Sequence, residues 1–300
     1  MKNIENNFKV GYVGIGVRRG GTSWIQQCLA EHPQICGYKT KEFAFLNDPN
    51  KCSRGIEAYI ACFPPYKPGQ IMGEFTPGYI ASEEAIRTIK KWFPKAKLLV
   101  CFRNPIERAF YHYIFHKAEE KTRAKTFEEA VKDRALKPYY IDTGFYYTQF
   151  KKWFDAFPRE QFLILIYDDI KKDPLKFIQG VYKFLGVNQR FVPPSLNQQV
   201  NWAAKNALKI PLLNFTITKI KRLLFHHPKL FKPLVLPARF LRINKLVEFI
   251  RQANCRKEGR KRQDKPVIPE KTRQYLREVY REEIKNFGKL IDKDLSSWLS

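Results

Sequence analysis

The sequence predicts an α/β fold, a central and mostly parallel sheet flanked by helices in three layers, extended by a basic helical cap toward the C-terminus. Three observations lead there. Strand-like and helix-like segments alternate up to about residue 190. The later strand-like segments, at 97–102 and 161–167, are continuous apolar runs, as strands covered on both faces are. The first strand-like segment runs into a glycine-rich turn that opens a helix, which places ligands beyond the carboxyl ends of the strands.

Residues 10–17 combine small and β-branched side chains and lead to Gly20 and Gly21, and residues 23–31 then take helical spacing. A second strand is read at 70–74, a helix at 82–93, and an apolar strand at 97–102 that ends on Arg103-Asn104-Pro105. Pro105 suits the first turn of a helix reaching residue 117, since that position needs no N–H donor. Helices follow at 126–136 and 145–157, a buried strand at 161–167, and a helix at 174–185 closed by Gly186.

Residues 205–250 differ: they mix Leu, Ile and Phe with Lys and Arg, and Pro211, Pro228, Pro233 and Pro237 cut them into short helices. A cap over an acceptor site fits better than an in-plane membrane face, because the prolines leave no long amphipathic helix. A charged loop at 259–267 and an amphipathic helix at 269–290 close the chain. The expected organisation is one domain over 1–300, with a nucleotide-binding core at 9–200, a basic cap at 201–268 and a helix at 269–300 returning to the core.

The net charge of +26 implies an anionic partner, whether nucleotide, acidic glycan, nucleic acid or anionic lipid, with a merely solvated basic surface as the alternative. The six cysteines form no CxxC pair, and Cys28 and Cys101 sit in apolar segments, so buried free thiols are expected. Residues 1–9 are polar and no apolar run is long enough to span a bilayer, which gives a soluble, cytoplasmic expectation. His112 and His116 are one helical turn apart but have no carboxylate placed as a third ligand, so no metal is expected.

The string Gly16-Val17-Arg18-Arg19-Gly20-Gly21-Thr22-Ser23 has P-loop spacing with Thr22 where that motif carries lysine. In an NTPase the lysine reaches the terminal phosphates, so its absence argues against kinase or ATPase chemistry, while backbone amides and a helix N-terminus still suit a phosphate. A dinucleotide fingerprint fails as well, because Arg19 stands where the third glycine after Gly14 and Gly16 belongs.

These residues resemble the sulfotransferases that use 3'-phosphoadenosine 5'-phosphosulfate (PAPS), and Arg18-Arg19-Gly20-Gly21-Thr22-Ser23-Trp24 is similar to the phosphosulfate loop of the glycan-modifying members. The family usually has lysine at the place of Arg19, which keeps the charge as a planar fork. Residues 97–113, with Arg103 ending a strand, are similar to the family's 3'-phosphate motif, where serine is usual at the place of Tyr111. An aromatic there is either a substitute hydrogen-bond partner or core. The late strand ending in Tyr167-Asp168-Asp169 also looks familial; Tyr167 either lines the adenosine pocket or caps a buried strand. Trp24 is placed either to stack on adenine or to fill the core. Arg256-Lys257-Glu258-Gly259-Arg260 is similar to the loop that covers the nucleotide, which puts Arg260 among its ligands.

Lys39-Thr40-Lys41-Glu42-Phe43-Ala44-Phe45 resembles the stretch whose glutamate is the catalytic base in glycan sulfotransferases, and Gly73-Glu74-Phe75-Thr76-Pro77-Gly78-Tyr79 resembles their next motif, with Phe75 where lysine is common. The resemblance implies Glu42 as base, Arg19 at the leaving oxygens, Lys41 toward the acceptor, and Glu74 orienting either the substrate or a basic neighbour; a solvent-exposed Glu42 in a charged turn is the bland alternative. It implies PAPS as donor, PAP as product and no metal. The favoured acceptor is a carbohydrate hydroxyl, an anionic glycan among them. A small-molecule or natural-product alcohol or amine is the alternative, and a non-catalytic basic nucleotide- or nucleic-acid-binding protein is the alternative of another class. No nucleic-acid partner is expected, membrane contact is not favoured, and oligomeric state is left open.

Overall fold

The computed structural model describes residues 10–37, 42–119, 121–198 and 266–300. Strands β1 (Val10–Gly16), β2 (Ile35–Gly37), β3 (Ile71–Phe75), β4 (Lys97–Phe102) and β5 (Phe162–Ile166) form one sheet in the order β2-β3-β1-β4-β5. Every neighbouring pair is parallel. The chain steps to one side of β1 for β2 and β3 and to the other for β4 and β5, so the switch point lies at the carboxyl end of β1.

The main helices are α1 (Thr22–Glu31), α2 (Glu83–Trp92), α3 (Pro105–Ala118), α4 (Tyr146–Ala156), α5 (Pro174–Leu185) and α6 (Glu270–Ile291). Strand alternation sorts the core into two layers. Leu99 and Cys101 face a cluster with Trp24, Ile25 and Leu29 of α1 and Ile178, Val181 and Tyr182 of α5. Phe102, the next residue along the strand, turns to the opposite face and meets Phe150 of α4 at 5.2 Å and Phe287 of α6 at 4.5 Å. Both faces of the sheet are covered, which is why β4 and β5 read as unbroken apolar runs.

Local chemistry sets the helix ends. Ser82 accepts from Ala85 N–H to start α2, and Asp173 accepts from Lys176 N–H beside Pro174 to start α5. Gly186, at φ 78°, ends α5 in the left-handed region. The expected helix at 126–136 is shorter, Phe127–Lys132, followed by a separate turn at Lys137–Tyr140. Asp133 breaks it: its backbone turns extended and its carboxylate accepts from Ala135 N–H at 2.8 Å. The strand expected to reach residue 167 ends at Ile166, and Tyr167 opens a short helix, Tyr167–Lys172.

The chain divides into two compact units, one comprising 1–113, 124–201 and 268–300, the other 114–123 and 202–267. The sheet and the residues of the candidate site belong to the first. The expected cap, Arg260 and Lys41 lie outside the described residues. Among the described residues no helix is long and apolar enough to cross a membrane.

Candidate active site

The turn after β1 is tied to the neighbouring β4 by Val17 N–H, which donates to Cys101 C=O at 3.1 Å, and closed on itself by Gly20 N–H donating to Val17 C=O at 3.0 Å. A Cβ on Gly20 would sit 2.2 Å from the Cys101 oxygen, so any side chain at Gly20 moves the loop off β4. Gly21 takes φ 82° at the N-cap of α1 and lies against the Tyr167 ring, which a Cβ would meet at 2.8 Å. No side chain caps α1. Its first turn, with Thr22 buried and Ser23 half-buried, is an arrangement that suits an anion.

Arg103 leaves the end of β4 beside this turn, only 8% exposed. Its Nη1 donates to Arg19 C=O at 3.4 Å, and Nη2 lies 3.5 Å from Glu107 of α3. The guanidinium is gripped between two rings, Tyr111 at 4.1 Å and Tyr167 at 4.3 Å. Glu107 is shared with Arg273 of α6, also at 3.5 Å. Arg19 is half-buried at the turn, at φ 67°, and Arg18 is exposed and reaches Gly78 after β3, where a Cβ would meet its Nη2 at 3.1 Å.

Before Gly78, the carboxyl end of β3 carries Glu74, 2% exposed. Its carboxylate accepts from Thr76 Oγ1 at 2.6 Å, Tyr79 OH at 2.6 Å and Tyr59 OH at 3.3 Å. Burial pushes its pKa up to about 7, opposed by those three hydroxyls and reinforced by the nearby Glu42 charge. Glu42 itself is exposed. The carboxyl ends of β1, β3 and β4 thus carry Arg18 and Arg19, Glu74 with the Glu42 charge near it, and Arg103 with its two tyrosines.

Residues 13–234 match the sulfotransferase domain family. The chain belongs to that family. Heparan sulfate glucosamine 3-O-sulfotransferase 5 of Mus musculus is 32% identical over 192 residues, covering 61% of this chain and 54% of that protein. Bifunctional heparan sulfate N-deacetylase/N-sulfotransferase 1 of Mus musculus is 31% identical over 192 residues, 58% of this chain and 21% of that protein. The chain thus spans about half the length of the first of these relatives and less of the second. A sulfotransferase from Alicyclobacillus acidocaldarius shares the fold, with a TM-score of 0.68 at 20% identity over 97% of this chain and 99% of that one.

Within this sulfotransferase the structure separates residues that the sequence left between two readings. Tyr111 and Tyr167 both lie on Arg103. Trp24 is 8% exposed and sits in the core 6.0 Å from Phe177, its indole N–H directed to the Ser195 and Leu196 carbonyls at 3.2 Å each, which favours packing over adenine stacking. Phe75, where the resemblance leads to an expectation of lysine, is 1% exposed with its ring over Gly14, where an added Cβ would fall 2.1 Å away. It serves the α1 side of the core, not the Glu74 side. His112 is buried, with Nδ1 3.1 Å from Tyr139 C=O.

Sequence reasoning did not single out Tyr59, Lys51, Glu107 or Arg273. Thr76 and Tyr79, two and five residues after Glu74, were part of a noted motif without a role. Their hydroxyls at that spacing are the signal that points back to a buried carboxylate.

Proposed function

We propose that this sulfotransferase transfers a sulfuryl group from PAPS to an acceptor hydroxyl, with a carbohydrate as the acceptor class. The observation that carries the reading is the buried Arg103 at the switch point, fixed between Tyr111 and Tyr167 with one guanidinium edge on the phosphate-loop backbone. A cation so placed, next to an uncapped helix N-terminus, suits a nucleotide with one phosphate on the ribose and another at the loop. The carbohydrate class rests on the names of the relatives, which act on heparan sulfate.

In this reading Arg103 and Tyr167 bind the adenosine side, with the 3'-phosphate on Arg103. The amides from Gly21 to Ser23 hold the phosphosulfate, and Arg19 balances charge on the leaving 5'-phosphate oxygen. PAPS supplies the sulfuryl group and the leaving phosphate. Glu42 accepts the acceptor's hydroxyl proton as the new oxygen–sulfur bond forms and the bond from sulfur to the phosphate oxygen breaks. Its exposure suits a group that must meet a large substrate.

Calorimetry with PAP, ATP and an oligonucleotide tests the nucleotide half: selective tight binding of PAP supports the reading, and salt-sensitive oligonucleotide binding alone sinks it. Isotopically labelled PAPS offered with heparan sulfate and with small alcohols and amines, followed by mass identification of the labelled product, tests the acceptor. Loss of transfer in Glu42→Gln with PAP binding intact is the expected signature of the base; full transfer in that variant removes the assignment.

A further inference from the structure

Glu42 enters an irregular stretch, residues 43–45, that belongs to no helix or strand, and Ala44 within it holds a left-handed φ of 43°. A non-glycine residue keeps that conformation where its surroundings over-determine it. Here they do. Ala44 N–H donates to Thr76 Oγ1 at 3.4 Å, and Phe45 and Leu46 N–H both donate to Tyr79 OH at 3.2 Å. On the carbonyl side, Lys51 Nζ donates to Phe43 C=O at 3.0 Å and Ala44 C=O at 2.9 Å. Phe45 C=O accepts from Asp48 N–H at 3.1 Å and from the Cys52 thiol at 3.2 Å.

The direction of these bonds matters. Tyr79 oxygen accepts two backbone N–H groups, so its own proton goes to Glu74 at 2.6 Å. Thr76 likewise accepts from Ala44 and donates to Glu74 at 2.6 Å. The ionised carboxylate is an acceptor for both at once. An amide is not: its NH2 would face a hydroxyl whose oxygen already receives backbone donors. Glu74 is anchored in β3, paired in register with Val13 of β1, so the sheet itself orients the hydroxyls that hold the loop.

We propose that Glu74, through Thr76 and Tyr79, and Lys51, through the Phe43 and Ala44 carbonyls, are positioning residues that fasten the Glu42 segment to the sheet. This rests on the reading of Glu42 as base, and it gives Glu74 a role through the loop in place of contact with the acceptor. The function of such a fastening is to hold an exposed carboxylate at one place, since a displacement of about 1 Å can cost about a hundredfold in rate.

The test uses Tyr79→Phe and Lys51→Met in the full chain, the second on a half-exposed side chain so that it folds even if the first does not. Hydrogen exchange at the amides of Ala44, Phe45 and Leu46 should quicken roughly fivefold or more in Tyr79→Phe, and the Ala44 region should quicken in Lys51→Met. PAP affinity should stay at the wild-type value. Transfer of labelled sulfate from PAPS to heparan sulfate should fall about 10- to 100-fold in kcat. Combined with Glu42→Gln, neither variant should lower the residual rate further. Unchanged exchange in both variants overturns the proposal, as does a loss that multiplies with that of Glu42→Gln. If Glu42→Gln transfers sulfate at the wild-type rate, the base reading fails separately, and the exchange result still decides whether the fastening exists.

Discussion

The guanidinium of Arg103 lies 4.1 Å from the centre of the Tyr111 ring, two turns into the helix that follows its strand. The ring, with Tyr167 on the guanidinium at 4.3 Å, fixes the plane of a cation whose edges are then aimed. A partly desolvated contact of this kind contributes about 1–2 kcal/mol. Tyr111→Leu should weaken PAP roughly 5- to 30-fold by calorimetry. Tyr111→Phe keeps the ring and should bind like wild type. If Phe loses as much as Leu, the hydroxyl is what matters.

Glu107 is claimed by two cations, Arg103 and Arg273, each at 3.5 Å. If Arg103 takes the 3'-phosphate as proposed, Glu107 competes with that phosphate for it. Glu107→Gln removes the competitor, and because the carboxylate is part-exposed the gain is that of a screened pair, roughly two- to fivefold tighter PAP with a steeper salt dependence. Weaker binding instead would mean that Glu107 orients Arg103 for the ligand.

The parts legible in the sequence are those whose cause is local. The order of β1, β3, β4 and β5 and the turn at Gly20 and Gly21 follow from runs of neighbouring residues. So does the position of Arg103 at a strand's end. What stayed closed depends on contacts distant in the chain. Strand β2 has three residues, too few to show a period. The fate of Trp24 is decided by carbonyls 171 and 172 residues away. Glu74 was legible as a site residue, but its effect runs through Thr76 and Tyr79 to a loop some 30 residues earlier, and no spacing rule connects Lys51 to the carbonyls it holds.

The two loop glycines should fail in different ways. Gly20→Ala sets a Cβ against a backbone oxygen at 2.2 Å, which no rotamer relieves, so the loop must leave β4 and PAP binding should be lost. Gly21→Ala meets the movable Tyr167 ring and a left-handed φ of 82°, with an expected cost of about 1–2 kcal/mol in stability and a smaller loss of affinity. Denaturant unfolding together with PAP titration separates the two. Equal behaviour would mean that the backbone contact to Cys101 is not what holds the loop.

Glu74 should make stability depend on pH in a direction opposite to that of a salt-bridged carboxylate. Burial is the largest influence, and it lifts the pKa in the folded chain to about 7 against hydroxyl bonds that favour the charge. The folded state then binds more protons than the unfolded chain between about pH 4.5 and 7. Stability from this group is complete below that window and falls as pH rises through it, by an amount on the order of 3 kcal/mol. Glu74→Gln is neutral throughout and should lack this component. Urea midpoints measured from pH 4 to 8 should therefore show the variant furthest below wild type at the acid end, with the gap narrowing toward pH 8. A gap that is constant across the range would mean that Glu74 titrates in the fold as it does in the unfolded chain, its three hydroxyl donors offsetting the cost of burial.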